Sequence, residues 1–138
     1  MSGLKNKIVV LTGASRGIGA ATALEMAPDG PHLVLCARSA EACAETKAAV
    51  EALGATAECH GFDVADTAAT SAFIDGIVAE HGRIDVLINN AGLGYMGSVQ
   101  DIPPADYLEV LQVNVLGPYN LISAVLPAMT EKNSGTII

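Results

Sequence analysis

Thr12-Gly13-Ala14-Ser15-Arg16-Gly17-Ile18-Gly19 lies between an apolar run, Ile8-Val9-Val10-Leu11, and a helix-like stretch from Ala20 to Met26. A strand, a glycine-rich turn and a helix in that order form a cradle for phosphate. Gly13 is free to take the tight-turn geometry that a Cβ resists. Gly17 leaves room for a pyrophosphate to reach the main chain, and Gly19 lets the helix lie close on the strand. The first N–H groups of the helix lack intrahelical partners and carry the positive end of its dipole toward an anion. The spacing is G-x-x-x-G-x-G rather than G-x-G-x-x-G. By itself such a turn is only a tight strand–helix connection. The strand before it and the helix after it favour a nucleotide cradle.

Working outward, continuous apolar runs mark strands buried on both faces, as in a parallel sheet. The first strand is about Lys7–Leu11, and a helix follows from Ile18 to about Ala27. Pro28-Asp29-Gly30-Pro31 ends that helix. A second strand, Leu33–Cys36, leads to a helix from Ala40 to Leu53, with Ser39 as N-cap and Gly54 as the stop. The third strand, Thr56–His60, is the least apolar and belongs at a sheet edge. Asp66 or Thr67 caps a third helix that carries Phe73, Ile74, Ile77 and Val78 and ends before Gly82. The fourth strand is Ile84–Ile88.

After Asn89-Asn90-Ala91-Gly92 comes a glycine-rich loop to Ile102. Pro103-Pro104 opens a fourth helical region with Leu108, Leu111, Val115 and Leu116 on one side. Gly117-Pro118 interrupts it. A further helix bears the core-like stripe Leu121, Ile122, Val125, Leu126 and Met129, with Pro127 set to kink it. Asn133-Ser134-Gly135 is a turn, and Thr136-Ile137-Ile138 begins a fifth strand. This rhythm predicts an α/β fold with a doubly wound parallel sheet in the order 3-2-1-4-5. Its ligand crevice lies at the carboxyl ends of strands one and four, where the order reverses.

The bulk properties bound the partners. With 7 basic and 15 acidic residues the chain carries a formal charge of −8, which argues against nucleic acid and anionic membranes as partners. Hydrophobic residues make up 51 % and aromatic residues 4 %, which suits a core of small aliphatic side chains. Cys36, Cys43 and Cys59 show no C-x-x-C spacing and read as reduced, buried residues of a cytoplasmic protein. Met1 to Lys7 is polar and reads as no signal peptide, and no apolar run of about 18 residues is expected to span a membrane. His32, His60 and His81 sit at element ends without shared spacing, so no metal site is expected. Glu41, Glu45 and Glu51 read as a solvated helix face.

The remaining polar signals fall on one edge of the sheet: the glycine turn after strand one, Ala37-Arg38 after strand two, Asp63-Val64 after strand three and Asn89–Gly92 after strand four. With T-G-A-S-R-G-I-G at Thr12–Gly19, D-V at Asp63-Val64, N-N-A-G at Asn89–Gly92 and V-N-V at Val113–Val115, the chain strongly resembles the short-chain dehydrogenase/reductase family over nearly its whole length. The resemblance implies a Rossmann-like fold, with residues 1–138 as one NAD(P)-binding domain, and hydride transfer between the nicotinamide and a small-molecule carbonyl or alcohol substrate. It implies that Gly13, Ser15, Gly17, Ile18 and Gly19 hold the pyrophosphate and adenosine ribose. Asp63 would accept from the adenine amino group, with the Val64 amide beside it, and Asn90, Ala91 and Gly92 would line the cofactor. Asn114 matches the active-site asparagine, a water-holding relay partner at a helix break. Asn89 is read as structural. The helix matching Leu121–Met129 often packs against another subunit in the family, so a homo-oligomer is expected.

The choice of cofactor has a physical basis. A site specific for NAD places an acid about 20 residues past the glycines to bond the ribose 2′-OH. Ala37 occupies that position, Arg38 follows it and Arg16 sits within the turn. Two guanidinium groups suit a 2′-phosphate, so NADP(H) is expected to be preferred, with NAD(H) possible. The competing reading of Arg38 is a solvated surface charge.

The sequence departs from the family in one respect. Members use a Ser after strand five and a Tyr-x-x-x-Lys pair beyond it, in which a nearby lysine lowers the phenol from an ordinary pKa of about 10. Tyr95, Tyr107 and Tyr119 are followed four residues on by Val99, Leu111 and Ser123. The chain is therefore expected to be truncated at its C-terminus and nearly inactive alone. The alternative is a non-catalytic dinucleotide-binding module.

Overall fold

The structure, a computed structural model, describes residues 3–138. Its centre is β1, Ile8–Thr12, in which Val9, Val10 and Leu11 are wholly buried. A strand of apolar residues on both faces is stable only between two layers, and the chain supplies them. The other strands are β2 (His32–Ala37), β3 (Thr56–Gly61), β4 (Val86–Ile88) and β5 (Thr136–Ile137). All pair in parallel in the order β3-β2-β1-β4-β5, as the sequence predicts, with β3 at an edge. The structure is thus a Rossmann-like doubly wound sheet.

Alternation along the strands divides the core. Val9, Leu11, Leu33 and Leu35 face Ala23 and Ala27 in and after α1 (Gly17–Met26) and Val50 of α2 (Ala44–Ala52). Val10, Val34 and Leu87 face Ile74 and Ile77 of α3 (Thr67–His81). Each fully buried aliphatic side chain contributes about 1.5–3 kcal/mol of burial free energy. The caps of α3 are those the sequence marks. The Ala69 N–H donates to Asp66 Oδ1 at 3.0 Å, and Gly82 closes the helix at φ 73°.

Several expectations need correction. The helix expected from Ala40 begins as a 3₁₀ turn over Ala40–Cys43, and Ser39 stands at its start in extended conformation without a side-chain cap bond. The fourth strand begins at Val86 rather than Ile84, because the Asp85 carboxylate takes the Ile8 N–H at 2.8 Å, held between Lys7 at 3.3 Å and Arg83 at 2.9 Å.

Gly117-Pro118 does not interrupt the last helices. Helix α4 (Pro104–Leu111) runs through a π turn, Gln112–Leu116, into α5 (Gly117–Glu131). Pro118 follows directly on the π turn, whose wider pattern, with the Gly117 N–H on the Gln112 carbonyl, accommodates a residue without an N–H. The result is a continuous run of 28 residues, Pro104–Glu131, long and apolar enough by composition to cross a membrane. The sequence reading missed it by counting the halves separately.

The apolar stripes also differ in what covers them. Leu121, Val125 and Met129 of α5 are buried in the core shared with α3. Leu108, Leu111, Val115 and Leu116 remain exposed, as does Leu126. Helical periodicity identifies a common face and does not say what lies on it.

Candidate functional site

The carboxyl ends of β1 and β4 diverge around one buried hydroxyl, that of Thr12. It accepts from the Asn90 N–H at 3.1 Å and the Ala91 N–H at 2.9 Å, and donates to the Ile88 carbonyl at 3.3 Å. The Asn90 side chain returns the contact, its Nδ2 donating to the carbonyls of Thr12 at 3.0 Å and Gly13 at 3.2 Å. Gly13 has φ 66°, and a Cβ there would meet Asn90 Nδ2 at 2.8 Å. A Cβ on Gly19 would overlap the Gly13 carbonyl. Both glycines are therefore required by close approach. Gly17, at φ 56°, faces open space instead.

The turn is fixed from its other side as well. The Ala14 N–H donates to the Cys36 carbonyl at 3.0 Å, and the buried Thr46 hydroxyl donates to the Ala14 carbonyl at 3.0 Å. Arg16, the N-cap of α1, is extended and gives no side-chain cap bond, and no acid lies in the first turn. The positive end of α1 is thus not neutralised by its own residues. Ser15 is half-buried beside it, and Ile18 is 78 % exposed.

The other predicted residues surround this turn. Arg38 is exposed past the end of β2, on a loop that crosses β3 so closely that a Cβ on Gly61 would meet Ala40 N at 2.6 Å. Asp63 is exposed, and one of its oxygens accepts from the Ala65 N–H at 2.9 Å. Val64 is buried, and its carbonyl accepts from Thr70 Oγ1 at 3.3 Å and Asn120 Nδ2 at 3.0 Å. Among the described residues no ion pair joins Arg16 or Arg38 to a carboxylate.

Asn114 sits in the π turn, a widening often found at functional positions. It clamps the main chain of Leu93, accepting its N–H at 2.9 Å and donating to its carbonyl at 2.8 Å. Its Oδ1 lies near Gly92, where an added Cβ would meet it at 3.3 Å. The asparagine therefore joins the last helices to the β4 end. Asn89 bonds main chain too, its N–H and Nδ2 both reaching the Ile138 carbonyl. Sequence reasoning missed the bracing by Thr12, Thr46 and Asn120. Thr12 was visible inside the quoted motif, but nothing in the spacing marks its hydroxyl as a junction.

None of the tyrosines has a lysine four residues on. Tyr95 donates to Glu109 Oε2 at 2.5 Å, and that bond to a carboxylate raises its pKa above the ordinary value. The thiols are free, with Cys36 and Cys43 buried and Cys59 half-buried. Burial pushes Cys43 up to about 11.

A second polar cluster lies away from this edge. His32, His60 and His81, dispersed in sequence, converge on Glu58 of β3. Burial raises the Glu58 carboxyl, but the imidazoles, His81 foremost, outweigh it and hold it below its usual range. Beside the cluster a depression of about 470 Å³ runs past Lys5, Pro28, Gly30, His32 and Thr56.

The family model for short chain dehydrogenase matches residues 7–138. The chain is 37 % identical to dehydrogenase/reductase SDR family member 7B of Bos taurus, over 98 % of this chain and 43 % of that protein. It is 38 % identical to the ketoacyl reductase HetN of Nostoc sp., over 100 % of this chain and 48 % of that protein. The chain thus spans about half the length of these curated relatives. Among solved structures, a metagenomic short-chain oxidoreductase in complex with NADP superposes with a TM-score of 0.92 at 40 % identity, covering 99 % of this chain and 61 % of that one. NAD⁺-bound xylitol dehydrogenase superposes with a TM-score of 0.92 at 36 % identity, covering 98 % and 52 %.

Proposed function

The chain belongs to the short-chain dehydrogenase/reductase family, and from that premise we propose that residues 1–138 are the NAD(P)-binding domain of an NADP(H)-preferring oxidoreductase acting on a carbonyl or alcohol substrate. The observation that carries the reading is the α1 terminus: an N-cap without a side-chain acceptor, no acid in the first turn, and open space above Gly17. A dinucleotide pyrophosphate fits that cradle, where it meets unpaired N–H groups and the helix dipole. Gly13, Ser15, Gly17, Ile18 and Gly19 hold it. The free Asp63 oxygen and the Val64 amide take the adenine, and Asn90, Ala91 and Gly92 wall the cofactor along β4. When bound, the nicotinamide supplies or accepts the hydride. Asn114 fixes the Leu93 main chain beside it and positions water for proton relay.

Arg16 and Arg38 set the preference. Both are exposed and unpaired with carboxylates among the described residues, and Ala37 stands where an NAD site has its acid, so a 2′-phosphate meets two cations there and no carboxylate at that position. NAD(H) binds more weakly. These 138 residues turn over little on their own, because none of their tyrosines has the i+4 lysine and Tyr95 is shifted away from neutrality. A non-catalytic dinucleotide-binding module is the second reading, favoured by the same tyrosines. The exposed face of Leu111, Val115, Leu116 and Tyr119 takes a second copy of the chain, giving a homo-oligomer. The free thiols suit the cytoplasm. The charge of −8 argues against nucleic acid or an anionic membrane as a partner.

Thermal melting with NADPH and with NADH tests the cofactor site. A larger upward shift with NADPH is expected, and Arg38→Asp reverses the order while changing the unliganded stability by no more than about 0.5 kcal/mol. No shift with either nucleotide sinks both readings, and equal shifts sink the role of Arg38. Hydride transfer to a carbonyl panel by this chain would show that its catalysis is complete. Val115→Glu is expected to lower the mass seen by light scattering.

A further inference from the structure

We propose that His32, Glu58 and His81 form a binding site for a divalent transition-metal ion of the Zn²⁺ class, with His60 beside them. The fold builds the site from three elements. His32 begins β2, Glu58 and His60 share a face of β3, and His81 ends α3. Pairing of His32 with Thr56 and Cys36 with His60 places those residues side by side on that face. The α3 terminus then brings His81 across them, its ring 4.6 Å from that of His32.

The donor atoms are spaced for one small ion. His32 Nε2 lies 3.3 Å and His81 Nε2 2.9 Å from Glu58 Oε1, and all the donor atoms of the trio fall within 4.8 Å of one another. A tetrahedral ion with bonds of about 2.1 Å spaces its ligands by about 3.4 Å. His60 Nε2 lies 3.3 Å from the other Glu58 oxygen. Solvent does not reach that nitrogen, and it makes no well-directed hydrogen bond. It stands outside the trio of converging donor atoms, so water takes the fourth position.

The surroundings set the tautomer and the type of ion. Thr56 Oγ1 lies 2.8 Å from His32 Nδ1 and accepts its proton in the form that frees the Nε2 lone pair, an outer-shell bond common behind ligating histidines. Phe73 supports His60 from behind, the rings 5.2 Å apart. Imidazole donors with a single carboxylate suit Zn²⁺ and its neighbours rather than Mg²⁺ or Ca²⁺, which need more oxygen ligands. The ion would tie α3 to the outer strand, well away from the glycine turn.

The chain has only 3 histidines, so their ring signals report on this cluster alone. Titrating Zn²⁺ into the untagged wild-type chain, followed by histidine-ring NMR, is expected to shift the His32 and His81 signals and saturate at one equivalent, while Mg²⁺ does nothing. Thr56→Val is expected to weaken the affinity about tenfold, and the His32→Gln/His81→Gln variant to lose binding. Co²⁺ in place of Zn²⁺ should give tetrahedral d–d bands without thiolate charge transfer. Unmoved ring signals, an equal response to Mg²⁺, a folded double variant that binds like wild type, or a thiolate band assigning the metal to the cysteines would each overturn the proposal. The wild-type titration decides even if the double variant does not fold.

Discussion

The Thr12–Asn90 junction and the Glu58 cluster are both polar assemblies against the same sheet, and they are held in opposite ways. At the junction the side chains bond main chain: the Thr12 hydroxyl takes two N–H groups and Asn90 gives to two carbonyls. Around Glu58 the side chains bond each other. Groups tied to main chain cannot move without moving the strands, so the junction is stiff and intolerant. Groups tied to side chains can rearrange around whatever enters. The first design suits a cradle whose shape must be ready, and the second suits a site whose donors close on a ligand.

The largest expected effect tests the stiff side. Gly19→Ala drives a methyl into the Gly13 carbonyl, and should cost about 3 kcal/mol in chemical denaturation and abolish any NADPH-induced rise in melting temperature. A well-folded variant that still responds to NADPH would show the turn to be plastic. Thr12→Val keeps the shape but removes the acceptor of the Asn90 and Ala91 N–H groups. The Ala91 N–H then loses its acceptor while the Asn90 N–H keeps the Ile88 carbonyl at 3.1 Å, which should cost about 2 kcal/mol, whereas a change below about 0.5 kcal/mol would mean the hydroxyl is not the junction. On the adaptable side, Glu58→Gln keeps the size and removes the charge. Half-exposed pairs of this kind contribute about 1 kcal/mol or less, so metal-free stability should hardly move. A loss as large as that from Thr12→Val would erase the distinction between the two assemblies.

The same contrast explains what could be read from the sequence. The glycine turn, the order of the strands and the edge position of β3 were legible because each depends on neighbours in the chain: an apolar run, a glycine, a cap. Ala37 and Arg38 could be placed from their offset to the glycines. The Glu58 cluster was illegible because residues 32, 58, 60 and 81 meet only through strand register and the return of α3. Leu108, Leu111 and Val115 form a stripe whose period is plain, yet their exposure depends on what lies opposite, which periodicity does not encode. The continuity of α4 and α5 was hidden by Gly117-Pro118, a pair that breaks most helices.

The π turn at Gln112–Leu116 is an α-helix that has taken in one residue more than its pitch allows. Each residue advances an ordinary helix by roughly 100°. Deleting Val113 would therefore do more than shorten a surface turn. It would straighten the helix and rotate everything on one side relative to the other, so that Asn114 could no longer meet Leu93 while Leu121, Val125 and Met129 still faced α3. The extra residue works as a phase shifter, letting one rod satisfy two orientations at once. Insertions and deletions should thus be tolerated in the loop before Pro104 and forbidden in the ten or so residues after Leu111, a pattern that a scan of single-residue deletions would record directly.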